Sequence, residues 1–180
     1  MLSLVYMRTS DILYLAGFFD GEGYVSVSVL KHKWSQGFYV DLRAGIGNTN
    51  RDVLVWIQRV TKLGKVWKHQ KKGNRRLQHH WVTSNLQDTR KFLKLILPYL
   101  KVKKKTVELA LKYLDSRLKD LESTKKRVYT GTHPYTKEEI EIIRQIKFLN
   151  AVGKDKKKYE IFCQKLKNWK NSSSKKRKEI

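Results

Sequence analysis

Nine residues, Leu15-Ala16-Gly17-Phe18-Phe19-Asp20-Gly21-Glu22-Gly23, join a helix-like run to a strand-like run through two acids, and this junction constrains the chain more than any other stretch. Upstream, Ser10 has the chemistry of an N-cap and Asp11 falls in the first turn. Ile12, Leu13, Leu15, Ala16, Phe18 and Phe19 leave the helix hardly a polar side, so it is expected to be buried all round. Leu13, Gly17 and Gly21 recur at i+4, and the two glycines leave a side-chain-free groove that suits close helix-against-helix packing. Asp20 and Glu22 fall at the helix end, among glycines suited to non-helical backbone. Two carboxylates beside a packed helix end suggest oxygen ligands for a divalent metal. The plainer reading is a buried helix ending in a glycine-rich turn, with two solvated acids.

Downstream, the hydrophobic period changes from helical to two. Val25, Val27 and Val29 face one way and Ser26, Ser28 and Leu30 the other, with His32 continuing the second row. After a loop through Lys33 to Gly37, Val40, Leu42, Ala44 and Ile46 face in while Asp41, Arg43, Gly45 and Gly47 face out, which predicts a hairpin. Asn48 to Asp52 favours a cap, and the spacing of Val53, Leu54, Trp56, Ile57 and Val60 predicts a helix over about 51–62, stopped near Gly64. The plan then repeats. Val66 to Gln70 and Leu77 to Thr83 read as strands joined by the basic turn Lys71 to Arg75, a candidate phosphate-gripping tip. Ser84 or Asn85 caps a third helix carrying Leu86, Phe92, Leu93, Ile96 and Leu97, broken near Pro98.

The order helix-β-β-helix-β-β-helix predicts an α+β domain with the helices on one face of an antiparallel sheet and the other face free. Beyond Pro98, Val107, Ala110, Leu111, Leu114, Leu118 and Leu121 form one helical stripe. Thr136-Lys137-Glu138-Glu139 has capping-box spacing before a helix at 136–150, and a further helix is expected from Lys158 to Trp169. Residues 1–170 are read as one domain and 171–180 as a basic, disordered tail.

Charge sets the class of partner. Lys and Arg number 40 against 16 Asp and Glu, a formal +24, far beyond what solubility requires. A polyanion is the natural partner, but charge alone does not separate DNA from RNA or from an anionic membrane surface. The single Cys163 excludes an intramolecular disulfide and a cysteine-cluster zinc site, and the five histidines lack metal-site spacing. No apolar run approaches the roughly 20 residues of a membrane span, and no secretion signal is seen, so an intracellular protein is expected.

The stretch LAGFFDGEG resembles the signature of the LAGLIDADG homing endonucleases, and the similarity extends more loosely over residues 10–150. The resemblance implies the αββαββα fold, its sheet forming a DNA-binding saddle with helices behind it, here with extra C-terminal helices. It implies an intron-encoded enzyme that hydrolyses phosphodiester bonds of double-stranded DNA. The cofactor would be Mg²⁺, with Mn²⁺ as a substitute and Ca²⁺ expected to bind without cleavage. No second copy of the motif occurs in the chain, and a double-strand break needs a hydrolytic centre for each strand. Single-motif members are homodimers that read nearly palindromic sites and leave short 3′ overhangs, so Leu13, Gly17 and Gly21 would line a two-fold helix interface.

By the same resemblance, Glu22 takes the place of the second acid, the metal ligand given by each subunit, beside the Gly21 backbone carbonyl. Asp is commoner there, and the extra methylene shifts the metal's position. Asp20 takes the first acid's place, as a secondary ligand and a fixture of the helix end. Lys103, reached through Pro98 to Val102, aligns with a lysine near the attacking water, and Asn50 matches a residue that positions that water. Base contacts are expected from the outward strand positions Ser26, Ser28, His32, Asp41, Arg43, His69, Arg76, Gln78 and His80, with Lys71 on the tip. Arg43 and Arg76 suit guanine and Gln78 suits adenine. An RNA maturase that assists intron splicing and a non-catalytic DNA-binding protein remain alternatives on the same fold. Intact acids favour cleavage, because RNA binding alone does not need them.

Overall fold

The computed structural model describes residues 7–31, 38–69, 77–124, 135–151 and 159–164. The period-two run becomes β1 (Gly23–Lys31) and β2 (Phe38–Asn48), antiparallel, with Gly23 opposite Ile46 and Lys31 opposite Phe38. β3 (Lys65–His69) and β4 (Gln78–Val82) form the second pair, and the sheet order β1-β2-β4-β3 sets both hairpins in one antiparallel sheet. The helices α1 (Thr9–Glu22), α2 (Arg51–Thr61), α3 (Leu86–Ile96), α4 (Lys104–Thr124) and α5 (Lys137–Ala151) complete the αββαββα order with its C-terminal additions. Residues 159–164 are helical as well, inside the last helix expected from the sequence, while the 171–180 tail lies outside the described residues.

The inward strand residues are the expected ones. Val25, Val27, Val40, Leu42, Ala44, Ile46 and Trp81 pack with Leu15, Phe19, Leu54, Ile57, Phe92, Leu93 and Ile96 in a single core. Trp81 and Phe92 lie 4.6 Å apart by ring centroids, and Phe19 meets Phe92 at 5.5 Å, which ties α1, α3 and the sheet together through aromatic edges. One of the buried polar residues is Thr83, just past β4. Its hydroxyl accepts from Ala44 N at 3.1 Å and meets the Thr89 hydroxyl at 2.7 Å, so it continues the β2–β4 ladder by one side chain.

Two expectations about α1 are corrected. Its N-cap is Arg8, whose backbone is extended and gives no side-chain cap, and the helix begins at Thr9, so Ser10 lies inside the first turn. Arg8 instead pairs with Asp11 at 3.2 Å, which places an acid where the helix dipole favours it. Nor is α1 buried all round: Leu15, Ala16 and Phe19 are buried, but Leu13 and Tyr14 are 50% and 54% exposed. An apolar sequence shows how many faces a helix could bury, and the described residues cover only some of them. Gly17 and Gly21 are helical, and it is Gly23 that turns the backbone into β1. A Cβ at Gly23 would lie 2.5 Å from the Phe19 carbonyl oxygen, which explains the glycine.

The capping box forms as spaced: Thr136 N–H donates to Glu139 at 2.9 Å and Glu139 N–H to the Thr136 hydroxyl at 3.1 Å. Glu139 is also buried against Arg117 of α4, N to O 3.9 Å, and the Arg117 guanidinium sits 4.0 Å above the Tyr135 ring. Lys112 and Glu138 add a second pair at 2.8 Å, so α5 is fastened to α4 along one side. Among the described residues no helix is long and apolar enough to cross a membrane.

Replacing Thr83 by Val keeps the side chain's shape and leaves the buried Ala44 N–H without its partner. The expected loss is about 1–3 kcal/mol in urea unfolding, with the m-value unchanged.

Candidate functional site

At the end of α1 the two acids part company. Asp20 turns toward the segment before α4, where its carboxylate accepts backbone N–H groups from Lys101 at 2.6 Å, Val102 at 3.1 Å and Lys103 at 2.9 Å. Partial burial works to raise its pKa, but those three donors and the Lys103 charge outweigh it and hold the carboxyl below its ordinary value. The favour is returned. Lys103 Nζ donates to the main-chain carbonyl of Asp20 and, at 3.4 Å, to that of Gly21, which places a cation on the negative end of α1. Burial lowers the Lys103 pKa, against the opposing pull of Asp20 and Glu22. Asp20, Gly21, Glu22 and Lys103 are thus one cluster, built from residues about eighty positions apart in the chain.

Glu22 is different. It is exposed at the last position of α1 and takes part in no hydrogen bond or ion pair with a described residue. Its carboxylate and the nearby carbonyl of Gly21 are hard oxygen donors, the kind that suits Mg²⁺ or Ca²⁺. Among the described residues no group of three or more His, Cys, Asp or Glu could hold a metal, so these two oxygens would need further ligands from outside the chain. Such a set fits a hard cation whose remaining positions are filled by water, phosphate oxygens or a second copy.

Asn50 belongs to a different element, as the N-cap of α2. Its side-chain oxygen caps the helix, accepting from Asp52 N at 2.9 Å and Val53 N at 3.5 Å. The register Gly23–Ile46 brings the end of β2, and with it Asn50, to the same end of the sheet as Glu22.

The outer face of the sheet carries Ser26 and Ser28 on β1, Asp41 and Arg43 on β2, Gln78 and His80 on β4 and His69 on β3, as the two-residue period predicted. Asp41 and Arg43 are mutually bound, Nε to Oδ1 2.9 Å, so the guanidinium is held along the strand. His32, Lys71 and Arg76 lie outside the described residues. Two members of this face were not singled out from the sequence. Tyr24 lies across Gly45, where a Cβ would stand 2.5 Å from its ring, and its hydroxyl is 3.3 Å from His80 Nδ1. Trp67, paired with His80 across β3 and β4, is 59% exposed. Extending the period one step back from Ser26 and one step back from His69 would have found both.

A further exposed apolar surface lies on α1. Leu13, Tyr14, Gly17 and Gly21 are exposed, and a Cβ at either glycine would meet nothing within 4 Å. Tyr14 stacks on Phe18 and abuts Trp56, so this apolar face is ordered by its own neighbours.

The sequence profile of the LAGLIDADG endonucleases matches residues 15–115, more than half of the chain. No curated protein sequence matches it. Among solved structures, the homing endonuclease I-CvuI in complex with its target superposes with a TM-score of 0.61 at 20% identity, covering 89% of this chain and 94% of that one. The homing endonuclease I-TnaI gives 0.62 at 20% identity, covering 88% and 97%. The group I intron-encoded homing endonuclease I-CeuI, complexed with DNA, gives 0.55 at 20% identity, covering 80% and 69%. At these identities the likeness is one of fold.

The depressed carboxyl of Asp20 has a signature in acid. A group whose pKa is lower folded than unfolded stabilises the fold above its unfolded value, about 4, and that contribution disappears as pH falls through the folded value. Asp20→Asn should therefore be less stable than the parent at neutral pH, with the gap closing below about pH 4. Denaturant midpoints for both proteins across pH 2–7 check this; a gap independent of pH would show that the carboxylate's charge is not what matters.

Proposed function

Because the chain belongs to the LAGLIDADG endonuclease family, we propose that it is a sequence-specific double-strand DNA endonuclease that hydrolyses phosphodiester bonds with a divalent metal. In this reading it is intron-encoded, works inside the cell in a prokaryotic cytoplasm or an organelle, and acts as a homodimer on a long pseudo-palindromic site, leaving short 3′ overhangs. The carrying observation is the division of labour at the end of α1: Asp20 is spent on backbone N–H groups, whereas Glu22 stands exposed beside the Lys103 ammonium. A fold that needed only a helix stop would have no use for the second acid.

Glu22 and the Gly21 carbonyl are assigned to Mg²⁺, with Asp20 contributing chiefly by fixing the helix end. When bound, the ion would supply an activated water and charge stabilisation on the phosphate. Lys103 contributes a cation already oriented by the α1 carbonyls, suited to a phosphate oxygen that gains charge. Asn50 uses its side-chain oxygen on α2, which leaves its amide nitrogen to orient a water. The outer sheet face and the formal charge of +24 supply the duplex-binding surface, with Arg43 suited to guanine and Gln78 to adenine.

The dimer is assigned to α1. Two copies meeting through Leu13, Gly17 and Gly21 would bury this exposed face, and the open space over both glycines allows close backbone approach. The same contact would bring two Glu22 carboxylates together at one two-fold axis. Sedimentation equilibrium tests it: the wild type should be dimeric and Gly17→Leu monomeric, and a wild type that stays monomeric with and without DNA would sink the assignment.

Glu22→Gln separates chemistry from binding, because it keeps the shape and removes the charge that a cation requires. Gel-shift affinity for the cognate duplex should be retained, with log-log salt slopes of about −0.9 per phosphate contact in both proteins. Strand cleavage in Mg²⁺ should drop by roughly two orders of magnitude or more. Cleavage at the wild-type rate would move the assignment to Asp20; loss of binding and cutting together would make Glu22 a structural residue.

A further inference from the structure

The β1–β2 hairpin extends beyond the reach of the rest of the sheet. β4 pairs with β2 only at Gly45 to Asn48, and Thr83 adds one bond at Ala44. From Asp41 outward the hairpin is a two-stranded ribbon, a form that is marginally stable in water unless something packs on it. Among the described residues neither of its edges is paired with a further strand at this point, so its outward backbone groups need partners of another kind. Ala44 turns its N–H and carbonyl toward Thr83, so the backbone groups of Val40 and Leu42, of the same parity, face that edge too, and those of their β1 partners Val29 and Val27, like those of Val25 opposite Ala44, face the opposite one.

α5 meets both edges. Before its first turn, the Tyr135 hydroxyl accepts the Val40 N–H at 2.9 Å, on the β2 edge. Near its end, Lys147 Nζ donates to the Val27 carbonyl at 3.1 Å and Asn150 Nδ2 to the Val25 carbonyl at 2.7 Å, on the β1 edge. Between these ends Ile142, Ile143 and Ile146 are buried in the same core as Val25, Val27, Val40 and Leu42. The helix therefore crosses the inner face of the ribbon and grips it from two sides. The capping box and the buried Arg117–Glu139 pair anchor the helix to α4.

We propose that α5 is a clip that sets the position of the projecting hairpin, and that Tyr135 and Asn150 are positioning residues for the part of the half-site read by Ser28, Leu30 and Asp41. This rests on the endonuclease reading for its target, but the mechanical claim stands on the backbone bonds alone. Neither residue is on the outer face, so each acts through where it holds the strands. The nearer face, with Tyr24, Gln78 and His80, is fixed by the four-stranded part of the sheet and does not depend on the clip.

Two single variants test it: Tyr135→Phe, which keeps the ring beneath Arg117 and removes the hydroxyl, and Asn150→Ala. The first readout is hydrogen exchange without DNA. Amide protection should fall in residues 25–30 and 39–43 while α2, α3 and β4 stay as in the wild type. The second is cleavage of a panel of duplexes carrying single base-pair changes. Discrimination should collapse from roughly ten-fold or more toward unity at the outer positions of the half-site and be retained at the inner ones. Unchanged hairpin protection in both variants would overturn the clip, as would a loss of discrimination spread evenly over the half-site. A wild type that cuts no duplex would instead defeat the endonuclease reading, and the exchange data would then decide the clip by themselves.

Discussion

A carboxylate that accepts three backbone N–H groups is first of all a structural tie, and Asp20 is one, through Lys101, Val102 and Lys103. The bond set is charge-assisted and so stronger than its neutral equivalents. Its importance lies in what it joins. On one side Gly23 follows at once and begins β1, and on the other Lys104 begins α4. One acid therefore fixes the helix end, the strand start and the lysine that reaches back to the helix carbonyls. Glu22 is held in place without being bound, which is the condition a ligand for an incoming cation must satisfy.

Much of this architecture was legible because it is local. Period-two alternation assigned the inward and outward faces of β1 and β2 residue by residue, and Thr136 with Glu139 formed the capping box their spacing demands. What was not legible depended on partners distant in the chain. The bonds of Asp20 cross more than eighty residues, and no spacing rule reports them. Tyr24 reads in sequence as an ordinary strand tyrosine, and only the register that sets it opposite Gly45 makes it a lid on that glycine. The apolar run of α1 promised burial on every side, whereas Leu13 and Tyr14 remain half exposed, since the described elements cover only part of the helix. The helix's surplus of apolar surface is what the proposed dimer would cover.

The C-terminal helices change how the sheet is held. An open sheet has two edges, and here they are treated unequally. The β1 edge receives side-chain donors from Lys147 and Asn150, while β3 at the other edge shows Lys65, Trp67, Lys68 and His69 to solvent. Charged side chains on an unprotected edge oppose strand-to-strand association. The two devices, a covering helix and a basic rim, reach the same end by different physics, and the second is compatible with a polyanion lying along that rim.

Gly45 and Gly47 have a further consequence for how this surface could change over generations. A Cβ at Gly45 would have to evict the Tyr24 ring and with it the contact to His80, and one at Gly47 would press on His80 at 3.0 Å. These columns of the face are already filled from neighbouring strands, so variation there disturbs several residues together. Ser26 and Ser28 already place a side chain in the face, opposite Arg43 and Asp41, so a change at either exchanges one side chain for another and evicts no ring. The face is thus divided into a part where any added side chain must displace a ring and a part where one side chain can replace another, and a lineage drifting toward a new partner would be expected to explore the second part first.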